Sequence, residues 1–183
     1  MQLATARLVL REIGPDDEVV LLAMFAEPEA QAHILTRQRE PANIRAFVAR
    51  AQRAAARPQR ASFHLAVASA AAPAQAIGLV SLTRARPGGV ARIGWHFAGR
   101  AQRRGYATEA ARAVLEHAFA ELGVRRVVAD CFADNLAGRR MCERLGMRQD
   151  VAGWIGTRRI ALDWGEWRPM LRYAIAASAV SET

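Results

Sequence analysis

Within Gly99–Gly123 (GRAQRRGYATEAARAVLEHAFAELG), the run Gln102-Arg103-Arg104-Gly105-Tyr106-Ala107 sets successive backbone N–H groups beside two guanidiniums. Gly105 lets the main chain approach another group closely. At a helix mouth such a nest suits an anion, phosphate above all. A solvated basic turn ahead of an ordinary helix has the same composition, so these residues alone leave both readings open.

The helix that must present this turn is marked at both ends. Ala107, Ala111, Val114, Leu115, Ala118, Phe119 and Leu122 recur at the three-and-four spacing of one buried face. Glu109 lies in the first turn, where the helix dipole favours an acid, and Gly123 falls where a left-handed cap would end it.

The chain of 183 residues is 52% hydrophobic, enough for one sizeable core and short for two. A single domain over 1–183, with its core at about 5–175, is expected. The net charge of +9 is carried by arginine alone, since lysine is absent. The arginines are dispersed among 17 acids rather than drawn into a stripe, which argues against nucleic acid. No apolar run would span a bilayer and MQLATARLVLREI lacks the pattern of a signal peptide, so a cytoplasmic protein is expected. Cys131 and Cys142 are too few for a disulfide framework, and no CxxC or HExxH spacing suggests metal.

Before the nest, Arg7–Ile13 reads as a strand, Pro15-Asp16-Asp17 opens a helix, and a second helix runs from Asn43 to about Ala56. Strand-like runs at Phe63–Ala68, Ile77–Thr83 and Val90–Phe97 are separated by AAAPAQA and ARPGG, which read as turns or loops. After the long helix come the strand Arg126–Phe132, a helix from Asn135 to Leu145 closed by Gly146, and apolar segments near 151–155 and 170–177. The expected fold class is a mixed α/β (α+β) domain, its mostly antiparallel sheet covered by helices on both faces. Gly94 interrupts its strand, which marks a bulge, a close backbone approach by a ligand, or clearance for a bulky neighbour such as Trp95 or Trp154.

A bulged strand, a Gln-x-x-Gly-x-Ala turn, a long helix, a strand, then Asn135 and a helix ending Glu143-Arg144-Leu145-Gly146-Met147 resembles the GNAT superfamily of N-acetyltransferases. The flanks ARLVLREIGPDDEVVLLAMFAEPE and GEWRPMLRYAI are similar to its RimJ/RimL branch, which acetylates ribosomal-protein N-termini and related amines. The resemblance implies acetyl-CoA as cosubstrate, its pyrophosphate on the amides of Gln102, Arg103, Arg104, Gly105, Tyr106, Ala107 and Thr108, with Arg103, Arg104 and Arg140 adding charge. It also implies a pantetheine arm along the Val90–Phe97 strand, where Phe97 and Ala98 offer main-chain groups and Asn135 contacts the arm from the other side. Members of the superfamily are often homodimers.

Acetyl transfer requires a neutral amine, a polarised carbonyl and a proton for the departing thiolate. Many relatives carry a glutamate where this chain has Arg92, a serine where it has Gly138, and others a tyrosine where it has Cys142. His96, on the strand face of Arg92 and Gly94, becomes the candidate base, and Cys142 a candidate donor whose thiol would match that of the coenzyme. His33 and Arg92 fall where the branch forms its acceptor pocket. The acceptor is a peptide N-terminus or a small amine such as an antibiotic or polyamine. A noncatalytic coenzyme sensor is the alternative that Arg92 and Gly138 leave open.

Overall fold

The computed structural model describes residues 1–33, 40–85, 89–150, 160–161 and 167–179. Two strands, β1 (Leu3–Ala4) and β2 (Leu8–Glu12), precede α1 (Asp17–Ala26), α2 (Pro28–Gln31) and α3 (Pro41–Ala55). Three longer strands follow, β3 (Ser62–Ser69), β4 (Ala72–Arg84) and β5 (Val90–Phe97). Then come α4 (Tyr106–Glu121), β6 (Arg126–Phe132), α5 (Leu136–Arg144), β7 (Arg148–Gln149), β8 (Ile160–Ala161), β9 (Trp167–Arg168) and β10 (Met170–Ala176).

Eight strands form one sheet in the order β1-β2-β3-β4-β5-β6-β10-β7, while β8 and β9 pair separately. Every pairing in the large sheet is antiparallel except β5 with β6, the two strands that α4 connects. Parallel neighbours need such a crossover.

Strand alternation divides the core in two. Phe63, Leu65, Val67, Val80, Leu82, Ala91 and Ile93 face one side with Ala110, Val114 and Leu115 of α4 and Met141 of α5. Ala66 and Leu79 face the other, against Leu21 and Met24 of α1 and Ile44 and Val48 of α3. Helices therefore cover both faces, as the sequence predicts.

Two readings require correction. AAAPAQA is a turn only at Ala70 and Ala71, because β4 already begins at Ala72. Arg11 bonds the carbonyls of Pro73 and Ala74 at 3.1 and 2.9 Å, which draws this segment alongside the sheet. Nor is there a bulge at Gly94: the β4–β5 register runs unbroken from Gly78↔Phe97 through Ser81↔Gly94 to Arg84↔Ala91. The irregularity lies between β3 and β4, about Val67, Ala68 and Ser69. The segment near 151–155, with Trp154, lies outside the described residues.

Candidate functional site

Strands β5 and β6 share only the rungs Val90↔Arg126, Ala91↔Val127 and Arg92↔Val128, although β5 continues to Phe97 and β6 to Phe132. Beyond Arg92 the two strands part, leaving a slot through the sheet. The Ala98 N–H donates to the Ile77 carbonyl at 3.1 Å, and the Ala85 N–H to the Val90 carbonyl at 2.8 Å. Ladder alternation therefore commits the even-numbered residues of β5 to β4 and turns the main-chain groups of Ile93, Trp95 and Phe97 toward the slot. Ala98, expected to offer its main chain there, has its N–H committed to β4. Gln102 Nε2 donates to the Phe97 carbonyl at 3.1 Å and holds the strand end.

At the mouth of α4 the backbone turns left-handed twice, at Arg103 (φ 58°) and Gly105 (φ 78°). Arg103 is the single non-glycine residue with positive φ among those described. Such a conformation costs about 1–2 kcal/mol outside glycine, and it converges successive N–H groups into a concavity. Among the described residues, the N–H groups of 103–108 have no acceptor, whereas Glu109 N–H returns to the Gly105 carbonyl at 3.0 Å. Gln102, expected as the first amide of the cradle, instead donates to the Gly99 carbonyl at 3.1 Å, so the cradle begins at Arg103.

The turn is braced through Glu109 by Thr5 and Arg7, two residues that sequence reasoning did not single out. Arg7 donates to the Arg104 carbonyl at 3.1 Å, pairs with Glu109 at 2.6 Å and lies over the Tyr106 ring at 4.8 Å. Arg104 covers the same ring at 5.0 Å. Thr5 Oγ1 donates to Glu109 Oε1 at 2.5 Å. Burial pushes the Glu109 carboxyl up, but bonds from Thr5 and Arg7 outweigh it and hold the carboxyl below its ordinary range. Arg7 and Glu109 are so far apart in the chain that nothing local announces the pair.

Asn135 is the N-cap of α5, its Oδ1 accepting from Gly138 N–H at 2.8 Å. A Cβ on Gly138 would lie 2.9 Å from Asn135 Nδ2, so a side chain there requires the Asn135 amide to shift. Arg140 is exposed on α5.

On the α1–α3 face, the Arg92 guanidinium pairs with Asp130 of β6, and Arg172 of β10 grips the same carboxylate at 2.7 and 2.9 Å. Where the resemblance implies an acid, this chain has a cation whose partner is across the slot. Asp130 was legible only as a lone acid in the apolar run RVVADCF. Among the described residues a Cβ built on Gly94 meets nothing within 4 Å, so this glycine clears no described side chain.

His96 stacks on Phe25 with ring centroids 4.6 Å apart. Burial holds its pKa down, partly offset by a bond to the Met24 backbone carbonyl, so the ring is neutral near pH 7. Its Nε2 is buried and has no partner among the described residues. Cys142, expected to carry a thiol of ordinary acidity, is fully buried, and its bond to the Cys131 side chain, burial and the Cys131 charge push it far above the thiol range. His33 is exposed beyond α2.

Among the described residues no cluster of His, Cys, Asp and Glu could hold a metal ion, and no helix is long and apolar enough to cross a membrane.

Residues 7–148 match the family model described as an acetyltransferase (GNAT) domain. An uncharacterized N-acetyltransferase of Bacillus subtilis (strain 168), YnaD, is 41% identical over 58 residues, 32% of this chain and 34% of that protein. The match thus spans about a third of that relative's length. A GNAT-family acetyltransferase from Bacillus anthracis superposes with a TM-score of 0.79 at 22% identity, over 97% of this chain and 99% of that one. The RimL ribosomal-protein α-N acetyltransferase, solved with coenzyme A, superposes with a TM-score of 0.79 at 17% identity, over 98% and 99% of the two chains.

Proposed function

Because the chain belongs to the acetyltransferase (GNAT) domain family, we propose that it transfers an acetyl group from acetyl-CoA to a primary amine, a peptide N-terminus of the RimJ/RimL type being the preferred acceptor. The observation that carries this reading is the double left-handed turn at Arg103 and Gly105, with the N–H groups of 103–108 left without acceptors at the start of α4. These donors suit a diphosphate, and Arg103 and Arg104 add charge-assisted contacts.

Acetyl-CoA, when bound, supplies an activated acyl carbon as a thioester. The slot between β5 and β6 takes an extended arm as an added strand, with Ile93, Trp95 and Phe97 offering main-chain groups and Asn135 flanking from α5. N–H groups on that edge are placed to meet an oxyanion. Holding two reactants together supplies roughly 7–11 kcal/mol when the geometry is productive, so positioning carries much of the rate. A protein α-amine, with a pKa of about 7.7–8.0, is already partly neutral near pH 7.

Calorimetric titration with CoA tests the donor site, and thiol release from acetyl-CoA on a panel of Ala-, Ser- and Met-initiated peptides and spermidine tests the reaction. Saturable binding with amine-dependent release is the expected result. Binding without release on any acceptor would leave a coenzyme sensor, and no binding would overturn the reading.

A further inference from the structure

His64 of β3, Ser81 of β4 and Gly94 of β5 form one row across the sheet: His64 is opposite Ser81, and Ser81 is opposite Gly94. All three lie on the α1–α3 face, the face of Ala66 and Leu79. His64 Nδ1 is 2.8 Å from Ser81 Oγ. Among the described residues a Cβ on Gly94 would meet nothing within 4 Å, so they leave the end of the row unfilled, and beyond it lies the slot between β5 and β6. A hydroxyl backed by an imidazole thus lies one strand in from β5, the strand that borders the slot.

We infer that Ser81 and His64 together take the proton from the acceptor ammonium, an assignment that rests on the acetyl-transfer reading above. An N–H bond of the ammonium breaks as its proton passes to Ser81 Oγ, directly or through one water above Gly94. The hydroxyl proton of Ser81 passes to His64 Nδ1, whose lone pair forms the new N–H bond. The products are a neutral amine, an intact serine and an imidazolium. Ser81 touches the amine or its water, and His64 acts through Ser81.

The surroundings of His64 keep it able to accept. Phe47 from α3 packs on its ring in a T-shaped pair, centroids 4.9 Å apart. Burial lowers its pKa, Glu12 of β2 pulls it up, and Arg50 of α3 and Arg60 ahead of β3 push it down, with a lower net result than a free imidazole. A ring that is neutral near pH 7 is the form this relay needs. The relay also accounts for a chain that has Arg92 at the family acid position, and whose His96 has one ring nitrogen bonded to Met24 and the other buried.

The test combines a spectroscopic and a kinetic readout on the full chain. In histidine-labelled protein carrying CoA, the His64 ring should titrate below about 6.5, and Ser81→Ala should shift that midpoint by removing the hydroxyl. With whichever panel acceptor the wild type turns over, His64→Asn and Ser81→Ala should each lower kcat by about 10²-fold or more, the usual range for a general base. Both should flatten the acid limb of kcat while the Kd for CoA stays unchanged, and His117→Asn on α4 should leave the profile as it is. An unaltered acid limb in both relay variants would overturn the assignment even though acetyl transfer stands. A wild type that binds CoA but releases no thiol with any acceptor would instead remove the reaction itself, and the relay with it.

Discussion

Arg92 of β5 and Asp130 of β6 form an ion pair at the point where their strands stop sharing rungs, and Arg172 of β10 closes on the same carboxylate. The pair bridges the start of the slot, and with two guanidiniums on one carboxylate the local charge is positive. Such a floor disfavours an ammonium and favours the neutral amine. Arg92→Glu would restore the family's acid but set it against Asp130. The expected cost is about 0.5–2 kcal/mol in urea unfolding, since Arg92 is half exposed. Asp130→Asn added to Arg92→Glu should cost less than the sum of the two single changes. Strict additivity would show that the two residues do not interact.

Glu109 ties Thr5 and Arg7 to the first turn of α4, and its folded pKa is held below the ordinary value of 4.5. A group depressed in the folded state contributes stability above its unfolded pKa and loses it as pH falls through the folded one. Wild type should therefore exceed Glu109→Gln in stability by a constant margin above about pH 5.5, and that margin should shrink below about pH 4.5. Chemical unfolding across this range checks it. A margin that grows toward acid would contradict the assigned pairing.

Gly105→Ala places a Cβ at φ 78° and 3.3 Å from Arg7 Nη2. It should destabilise the fold by about 1–2 kcal/mol and weaken CoA several-fold, because the turn that converges the amides is distorted. Unfolding and calorimetry together read both effects, and a stability loss with unchanged affinity would detach the turn from the ligand.

Gly138→Ser should not supply a proton donor. Its Cβ needs the volume held by Asn135 Nδ2, so Asn135 must leave the Gly138 N–H and α5 loses its cap, a cost of about 0.5–2 kcal/mol. A variant that gains turnover with stability intact would contradict this. Thermal unfolding beside thiol release decides.

The sequence was most legible where pattern and tertiary role coincide. Strand β6 lies at Arg126–Phe132 as read, because an apolar run bounded by the turn after α4 and by Ala133-Asp134 has no competing interpretation. α4 is equally plain: its buried stripe, its acidic first turn and Gly123 at φ 64° all point to one helix. The alanines of 70–76 misled, because propensity there is weak and the strand is drawn in by Arg11 from β2. Gly94 misled in another way, since a glycine in an unbroken strand and one that bends it look identical in sequence.

The site followed the same division. The nest was legible because its residues are consecutive. The Arg7–Glu109 brace, the Arg92–Asp130 pair and the His64–Ser81 contact join segments far apart in the chain, and they exist only once the sheet register is fixed. His64 and Ser81 did leave a trace, as polar residues inside the apolar runs SFHLAVAS and AIGLVSLTR. That trace becomes a pair only when β3 and β4 are paired in the observed register.

The central claim is that the N–H groups at the mouth of α4 hold the coenzyme's diphosphate. An amide-resolved NMR titration of the full chain with CoA measures this directly. The account expects the largest saturable shifts at the amides of 103–108, with Ile93, Trp95 and Phe97 following along the slot. Saturable binding that leaves 103–108 unmoved, or shifts confined to another part of the chain, would contradict it.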